Sequence, residues 1–309
     1  MAIDFTPVFI GGTGRSGTTI LLNLLSRHPD FHASMPREVK YLTSRHGLIE
    51  IALTRPLGIE ESVKAKRNNF ITRVLPLLGQ SKVSLIEKKI MGPWWSETGK
   101  NGNIRGLVQG ITRDELEQEF EKFRSEFEAD RVGASRSLFE SLSRAQMKDG
   151  VKKYFGDSTP VNIIQADLIE KLLPRSKFIH VIRDGRDVAS SVVKEKWGPS
   201  EHFAALDWWK NRIVKGQIAL SKIQTKNKLE LRIEDLVIHQ RQATLERIKE
   251  FLDLPNDDRF DTYFKNEILP VKLHAGRWMD EPVNAEKFNA RYRDILQALS
   301  TNGIKIEEL

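Results

Sequence analysis

The chain has no cysteine among its 309 residues. Disulfide bonds, thiolate catalysis and metal sites built from thiolates are therefore excluded, and the composition suits a reducing compartment. The sequence also lacks internal repeats and low-complexity segments. With 39% hydrophobic and 29% charged residues, it has the ordinary balance of a soluble globular protein.

Long apolar runs are missing as well. No stretch approaches the roughly eighteen residues that a membrane-spanning helix needs. The start of the chain, MAIDFTPVFIGG, lacks the basic beginning and apolar core of a signal peptide. We therefore expect a protein that has no transmembrane segment and is located in the cytoplasm.

The chain carries more positive than negative charge. Lys and Arg number 49 against 42 Asp and Glu, which gives a net charge of +7 and favours anionic ligands. The cations are scattered among acidic residues and form no long basic block. A mixed, solvated surface accounts for most of them, and we expect no nucleic-acid partner.

The stretch VFIGGTGRSGTT, near the N-terminus, leads from an apolar run through a glycine loop into an amphipathic helix. A strand, a glycine loop and a helix N-terminus together favour anion binding. Gly12, Gly14 and Gly17 satisfy both a dinucleotide and a nucleoside-triphosphate fingerprint. The triphosphate loop, however, needs a lysine where this chain has Thr18, and the nearest cation is Arg15 inside the loop.

A second loop bears on the choice of ligand. A dinucleotide site needs an acidic residue about twenty positions on, and Glu38 lies near that distance. RDGRDVASS, however, places Arg183 at the end of the strand KFIHVIRD and Ser191 eight residues later, about one turn into a helix. The two loops together suit a nucleotide with anionic groups at its 5′ end and its 3′ position. The sulfuryl donor 3′-phosphoadenosine-5′-phosphosulfate (PAPS) is such a nucleotide.

The second half of the chain alternates predicted strands and helices. This order predicts an α/β fold with a central, mostly parallel sheet, flanked by helices and binding ligands at the carboxyl ends of its strands. In the middle third, apolar residues at helical spacing predict a helix over 113–130 with a core-facing stripe. The segment 91–106, which contains Trp94 and Trp95, predicts an irregular loop of the kind where binding residues gather.

The chain resembles the PAPS-dependent sulfotransferases, in the branch that includes carbohydrate and tyrosylprotein enzymes. GRSGTT resembles the family's 5′-phosphosulfate loop and RDGRDVASS its 3′-phosphate motif; RIEDLVIHQRQATLERIKEFLDLP and AGRW are similar to later segments. The resemblance extends from residue 8 to about 296, apart from the middle third. It implies a P-loop-like, three-layer α/β fold in one domain, 1–309, with a variable helical insertion at 43–150 that shapes the acceptor site.

The resemblance also implies roles for individual residues. Arg15 would steady charge on the sulfuryl group, Glu38 in REVKYL would be the catalytic base, and Arg277 and Trp278 would close over the nucleotide. The 3′-phosphate would be bound by Arg183 and Ser191. The 5′-phosphosulfate would be bound by Gly14, Arg15, Ser16, Gly17, Thr18 and Thr19. No metal ion is implied.

One position departs from the family pattern. Ser158, in DSTP, stands where many glycan-type members carry a lysine, so a cation near the sulfuryl group is either missing or supplied from elsewhere, for instance by Lys40. We expect His28 to be a turn residue and His180 to be packed within a strand. His32 is a second, weaker hypothesis for the base.

Three other functions stay open from sequence alone. A P-loop kinase would explain the glycine loop but not the absent lysine or the second loop, and it would depend on magnesium. A non-catalytic nucleotide-binding module would use the basic surface alone. A dinucleotide-dependent oxidoreductase is the third. For a sulfotransferase the acceptor is unknown, with a glycan, a peptide tyrosine, a lipid and a small alcohol all compatible.

Overall fold

The architecture is taken from a computed structural model. It describes residues 5–53, 81–98, 102–147, 150, 152–281 and 283–308. Part of the predicted insertion at 43–150 therefore lies outside the described residues.

The described part of the chain contains seven strands. They are β1 (Thr6–Gly12), β2 (Phe31–Ala33), β3 (Glu97–Thr98), β4 (Ile104–Arg105), β5 (Tyr154–Asp157), β6 (Lys177–Ile182) and β7 (Lys228–Arg232). Five of them form one parallel sheet in the order β2-β5-β1-β6-β7, and β3 pairs antiparallel with β4. The predicted parallel sheet is confirmed.

The helices begin and end as follows. They are α1 (Thr18–Leu25), α2 (Lys40–Thr43), α3 (Leu48–Leu53), α4 (Lys82–Met91), α5 (Arg113–Phe127), α6 (Arg131–Gln146), α7 (Ala166–Leu172), α8 (Gly185–Val192), α9 (His202–Leu220), α10 (Arg241–Leu252), α11 (Asp258–Glu267), α12 (Pro270–Leu273) and α13 (Ala285–Thr301). In the residues described, none of these helices combines the length and the apolar character needed to cross a membrane.

Helices cover both faces of the sheet because the central strands are apolar on both sides. In β1, Val8 and Ile10 face a core formed with α1, α10 and α11, whereas Phe9 faces the opposite core, which contains α3, α5, α6 and α7. β6 alternates in the same way, with Ile179 in the first core and Phe178 in the second. Burial on both faces is typical of parallel sheets, and the predicted three-layer fold is confirmed.

The helix predicted over 113–130 is present as α5. Its N-terminus has a capping box, in which the Thr112 hydroxyl accepts from the amide of Glu115 and the Glu115 carboxylate accepts from the amide of Thr112. The predicted stripe is buried in the core against α6 and consists of Leu116, Phe120, Phe123 and Phe127. Each such side chain contributes about 1.5–3 kcal/mol through burial, so the stripe fixes which face of α5 packs inward.

The segment around the paired tryptophans is more regular than the predicted loop. Strands β3 and β4 form a short antiparallel pair within it. Trp94 and Trp95 pack against the core beneath α5, and the guanidinium of Arg113 lies 5.5 Å from the centre of the Trp95 ring. The irregular-loop prediction is thus wrong in part, because the partly buried tryptophan rings pack against the core and so anchor the segment.

The sheet register sets up the functional site. β1 and β6 are direct neighbours, and Gly12 at the end of β1 is paired with Val181 near the end of β6. The two loops singled out in the sequence follow these strands at the same edge of the sheet. Ligands of open parallel sheets bind at this edge.

Candidate active site

The glycine loop after β1 holds an unusual backbone conformation. Gly14 and Gly17 have φ angles of 84° and 95°, in the left-handed region that glycine adopts without a Cβ penalty. Arg15 between them also has a positive φ, 59°, which costs about 1–3 kcal/mol for a residue with a side chain. A Cβ on Gly17 would lie 2.6 Å from Cγ1 of Ile233, so no other residue fits there without a shift of its neighbours.

This loop offers main-chain donors to an anion. Within the described residues, the amide N–H groups of Gly14 to Gly17 donate no hydrogen bond. The first amides of α1, beginning at Thr18, have no partner within their own helix, as at every helix N-terminus. The helix dipole adds a partial positive charge at the same place. Together these groups form an anion site that needs no lysine.

The second loop follows β6 and is more deeply buried. The Arg183 side chain is 8% exposed. Its Nη2 donates to the carbonyl oxygens of Leu273 (2.7 Å) and His274 (3.3 Å). Burial lowers the pKa of Arg183, although the nearby carboxylate of Asp187 opposes that shift. Its buried Nε has no hydrogen-bond partner within the described part, so a donor remains for a ligand.

The two loops touch each other. Nε of Arg15 donates to Oγ of Ser191 over 2.8 Å, and Nη1 of Arg183 donates to the carbonyl oxygen of Arg15 over 3.3 Å. Nη1 of Arg15 also lies 3.8 Å from a carboxylate oxygen of Glu195. Ser191 lies in the second turn of α8, which begins at Gly185. The glycine loop and the second loop thus form one continuous site.

A pocket of about 590 Å³ opens beside this contact. Its lining comes from the glycine loop, the segment after β2, the loop after β5, the second loop, the segment between α8 and α9, and α9 itself: Thr13, Gly14, Arg15, Gly17, Thr18, Thr19, Glu38, Lys40, Ser44, Thr159, Pro160, Val161, Arg183, Glu195, Trp197 and Arg212. Four cationic side chains in this lining face two carboxylates, so the pocket suits an anionic ligand.

Glu38 is held in this pocket by its two neighbours in sequence. The amide of Val39 donates to Oδ1 of Asp157 over 3.0 Å, and the carbonyl oxygen of Arg37 accepts from both the amide and the hydroxyl of Ser158 (2.9 and 3.0 Å). Burial raises the pKa of Glu38; the charge of Lys40 opposes this shift and that of Asp157 adds to it. A partly buried carboxylate with a raised pKa is a competent proton acceptor.

The comparisons with known proteins agree with this geometry. The model described as "Sulfotransferase family" matches residues 7–50 and 91–258, well over half of the chain.

The chain belongs to the sulfotransferase family.

Two curated relatives match across most of the chain. Protein-tyrosine sulfotransferase A of Caenorhabditis elegans is 24% identical over 82% of this chain and 51% of its own length. Protein-tyrosine sulfotransferase 1 of Danio rerio is 23% identical over 82% of this chain and 55% of its own length. This sulfotransferase chain therefore spans about half the length of the curated relatives that it matches.

The fold also matches a solved sulfotransferase structure. The sulfotransferase domain from the curacin biosynthetic pathway has a TM-score of 0.50 and 14% identity, and the match covers 96% of this chain and 98% of that domain. At this identity the likeness supports the fold alone. The predicted family and P-loop-like fold class are confirmed.

Ser158 has a structural role in this sulfotransferase. In place of the family lysine, its hydroxyl and amide hold the Arg37 carbonyl next to Glu38. Lys40 lines the pocket two residues beyond Glu38, so it is available as the cation that the sequence analysis suggested. Substituting a lysine at 158 would therefore remove one anchor of the Glu38 segment.

The histidines lie outside the pocket lining. Nε2 of His28 lies 3.0 Å from the carbonyl oxygen of Pro255, and His28 Nδ1 accepts from the amide of Asp30 in the turn after α1. Nδ1 of His180 lies within β6, 2.8 Å from a carboxylate oxygen of Glu230. His32 stacks on Phe155 at 5.8 Å between ring centres. The turn and strand positions expected for His28 and His180 are confirmed.

The remaining predicted residues lie beside the pocket instead of lining it. Ser16 is fully buried below the glycine loop. Arg277 and Trp278 begin a short 3-10 helix, Arg277–Asp280, after α12, and Trp278 packs against Phe288 at 6.2 Å between ring centres.

Sequence analysis missed an aromatic and cationic wall of the pocket. Trp197 is 42% exposed and its ring lies 3.5 Å from where a Cβ on Gly14 would stand. It contacts Trp208, over which the Arg212 guanidinium lies at 4.5 Å from the ring centre. Trp208 and Arg212 are four residues apart on α9, a spacing that places side chains on one helix face. That spacing was the available signal.

Proposed function

We propose that this protein transfers the sulfuryl group of PAPS to a hydroxyl or amine of an acceptor. The observation that carries the proposal is the direct contact between the two phosphate loops, through Arg15 Nε and Ser191 Oγ at 2.8 Å. A nucleotide with anionic groups at both its 5′ and 3′ positions needs two adjoining anion sites, called cradles here: the glycine loop, and the loop that carries Arg183 and Ser191. Membership of the sulfotransferase family supports the same ligand.

The proposed binding mode assigns each cradle to one anionic group. Amides of the glycine loop and the hydroxyls of Thr18 and Thr19 bind the 5′-phosphosulfate at the N-terminus of α1. Arg183 and Ser191 bind the 3′-phosphate, for which the buried, unpartnered Nε of Arg183 supplies a donor. Arg15 exchanges its bond to Ser191 for the phosphosulfate when the nucleotide binds.

The proposed reaction is an in-line displacement at sulfur. The acceptor oxygen forms a bond to sulfur while the bond between sulfur and the 5′-phosphate oxygen breaks, and 3′,5′-adenosine bisphosphate leaves. Glu38 takes the acceptor's proton as the new bond forms. Arg15 stabilises the negative charge that develops on the sulfuryl and bridging oxygens. No step calls for a metal ion.

We propose a peptide tyrosine as the first acceptor to test. The support is the set of curated relatives, which are named protein-tyrosine sulfotransferases, and the cationic lining contributed by Lys40 and Arg212. An acidic glycan fits the same charge. The insertion at 43–150 as the part that shapes the acceptor site, the single domain over 1–309 and the cytoplasmic location stay predictions.

The donor is tested by calorimetry in the absence of magnesium. Binding of 3′,5′-adenosine bisphosphate is compared with that of 5′-AMP, ATP and NAD. We expect clear selectivity for the bisphosphate, because only that ligand fills both cradles. Preference for magnesium-ATP or for NAD would refute the proposal and favour the kinase or the oxidoreductase.

The acceptor is tested separately by mass spectrometry. The protein is incubated with PAPS and an acidic tyrosine peptide, and a peptide with phenylalanine in place of tyrosine is the matched control. A mass increase of one sulfuryl group on the tyrosine peptide alone supports the peptide acceptor. Donor binding without this product moves the search to glycans and small alcohols and leaves the donor assignment intact.

A further inference from the structure

The C-terminal segment after α12 is tied down beside the second phosphate loop. It turns through His274 and Gly276, whose φ angles are 52° and 77°, and continues into the 3-10 helix Arg277–Asp280. Two carbonyl oxygens at its start, those of Leu273 and His274, accept from Arg183. The segment therefore lies against a residue of the proposed 3′-phosphate site.

A single carboxylate fixes the segment on both sides of Arg277. Oδ2 of Asp187 accepts from the amide of Gly276 over 2.9 Å, and Oδ1 accepts from the amide of Trp278 over 3.3 Å. The Asp187 side chain is 2% exposed, and one of its oxygens lies 3.7 Å from Nη2 of Arg183. A buried carboxylate that accepts two flanking amides holds the backbone of the intervening residue in one place.

Gly276 and Trp278 are held by contacts with other residues, whereas the side chain of Arg277 is not. The Trp278 ring packs under the guanidinium of Arg186, 4.6 Å from the ring centre, and against Phe288. The side chain of Arg277 makes no hydrogen bond or ion pair with any residue in the described ranges. Its charge nonetheless lies close enough to Arg183 to lower the pKa of that guanidinium.

Two neighbouring guanidinium groups repel each other, and although the Asp187 carboxylate lies 3.7 Å from Nη2 of Arg183, a further anion between the two groups relieves the repulsion that remains. Nε of Arg183 is buried and has no partner within the described part. The side chain of Arg277 is half-buried beside it. Both observations point to an anionic group of the ligand at this position.

We propose that Asp187 is a positioning residue, which holds Arg277 beside Arg183 so that both guanidinium groups meet the 3′-phosphate. The inference rests on the proposed function and adds to it a residue that does not itself contact the nucleotide. Asp187 acts through the two amides on either side of Arg277. The C-terminal segment becomes part of the donor site only when this carboxylate is in place.

A double-mutant cycle tests the coupling. The variants are Asp187→Asn, Arg277→Ala and the double variant, and the readout is calorimetric binding of 3′,5′-adenosine bisphosphate and of 5′-AMP. We expect each single variant to bind the bisphosphate about tenfold more weakly, as the loss of one charged contact predicts. The double variant should be no weaker than Arg277→Ala, and binding of 5′-AMP should change little in all three.

A matched control removes one arginine elsewhere. Arg259 on α11 is 80% exposed in its side chain, and Arg259→Ala changes the net charge by the same amount as Arg277→Ala. Its bisphosphate affinity should equal that of the wild type. A loss as large as that in Arg277→Ala would show that net charge alone is being measured, and would overturn the proposal.

The other outcomes are equally decisive. If Asp187→Asn weakens bisphosphate binding as much in the Arg277→Ala background as in the wild type, Asp187 acts through Arg183 or the fold and the proposal is wrong. If Asp187→Asn does not fold, Asp187→Glu takes its place in the cycle, and unchanged bisphosphate binding in Arg277→Ala overturns the proposal by itself, since it removes the role that Asp187 would support. If the wild type shows no preference for the bisphosphate over 5′-AMP, the proposed function fails first.

Discussion

Replacement of Arg183 by lysine is the sharpest test of the second cradle, because it keeps the positive charge and removes the planar fork. A guanidinium has five N–H donors. In Arg183, Nη1 donates to the Arg15 carbonyl, and Nη2 donates to the carbonyls of Leu273 and His274. Nε–H and one Nη1–H are left for a ligand, which makes two donors available to the 3′-phosphate.

The size of the effect follows from this count. A hydrogen bond to a charged group contributes about 1.5–3 kcal/mol. The ammonium of a lysine at this position keeps one of the two phosphate contacts, so the variant loses about one bond. That loss corresponds to about 10-fold to 150-fold weaker binding of 3′,5′-adenosine bisphosphate. Binding of 5′-AMP, which lacks the 3′-phosphate, should change less than about threefold.

The assay is paired calorimetry of the two nucleotides on wild type and Arg183→Lys, with a thermal unfolding scan of both proteins. The scan is needed because carbonyls of the C-terminal segment also lose donors in the variant. An equal loss for both nucleotides would refute the reasoning, since it would mean that Arg183 supports the pocket as a whole. A selective loss with an unchanged unfolding temperature would locate the 3′-phosphate at this residue.

Three further predictions concern the pocket. Glu38→Gln should lower kcat about 10²-fold to 10⁴-fold, the usual contribution of a general base, with bisphosphate affinity unchanged in calorimetry; near-normal turnover would remove Glu38 as the base. Because burial raises the pKa of Glu38, its basic form is lost as the pH falls through that raised value, so the acid limb of the wild-type kcat profile should lie above the ordinary glutamate pKa. Glu195→Gln should tighten bisphosphate binding by up to about fivefold, since an ion pair at 3.8 Å with a half-exposed Arg15 is worth about 0–1 kcal/mol. That gain should vanish in an Arg15→Ala background, and weaker binding in Glu195→Gln would contradict the assignment.

The sequence predicted the sheet and most helices of the second half because their patterns are local. The apolar stripe of α5 lies within a single helix, so periodicity was enough to predict it. Helix α6 was missed because its buried positions include Ser135, Ser143 and Gln146, which carry no apolar signal. The paired tryptophans were mistaken for part of an open loop because their burial depends on α5.

The residues of the candidate site likewise include some that the sequence predicted and some that it did not. The glycine loop and Arg183 were predicted from motifs of adjacent residues as two parts of one nucleotide site, and Glu38 was predicted from the family resemblance. The wall formed by Trp197 and Arg212 was missed, because Trp197 precedes α9 and meets the Arg212 side of that helix only through its contact with Trp208.

The sequence by itself determined the chemistry of this protein: a glycine loop that accepts a positive φ, cations in two loops, and no lysine where a triphosphate loop requires one. The tertiary structure decided which of these groups meet. Arg15 and Ser191 are 176 residues apart, and they touch because β1 and β6 are neighbours in the sheet. Strand order and the contacts of buried carboxylates such as Asp187 are non-local, and they are settled by the packing of the whole core rather than by any pattern within a segment.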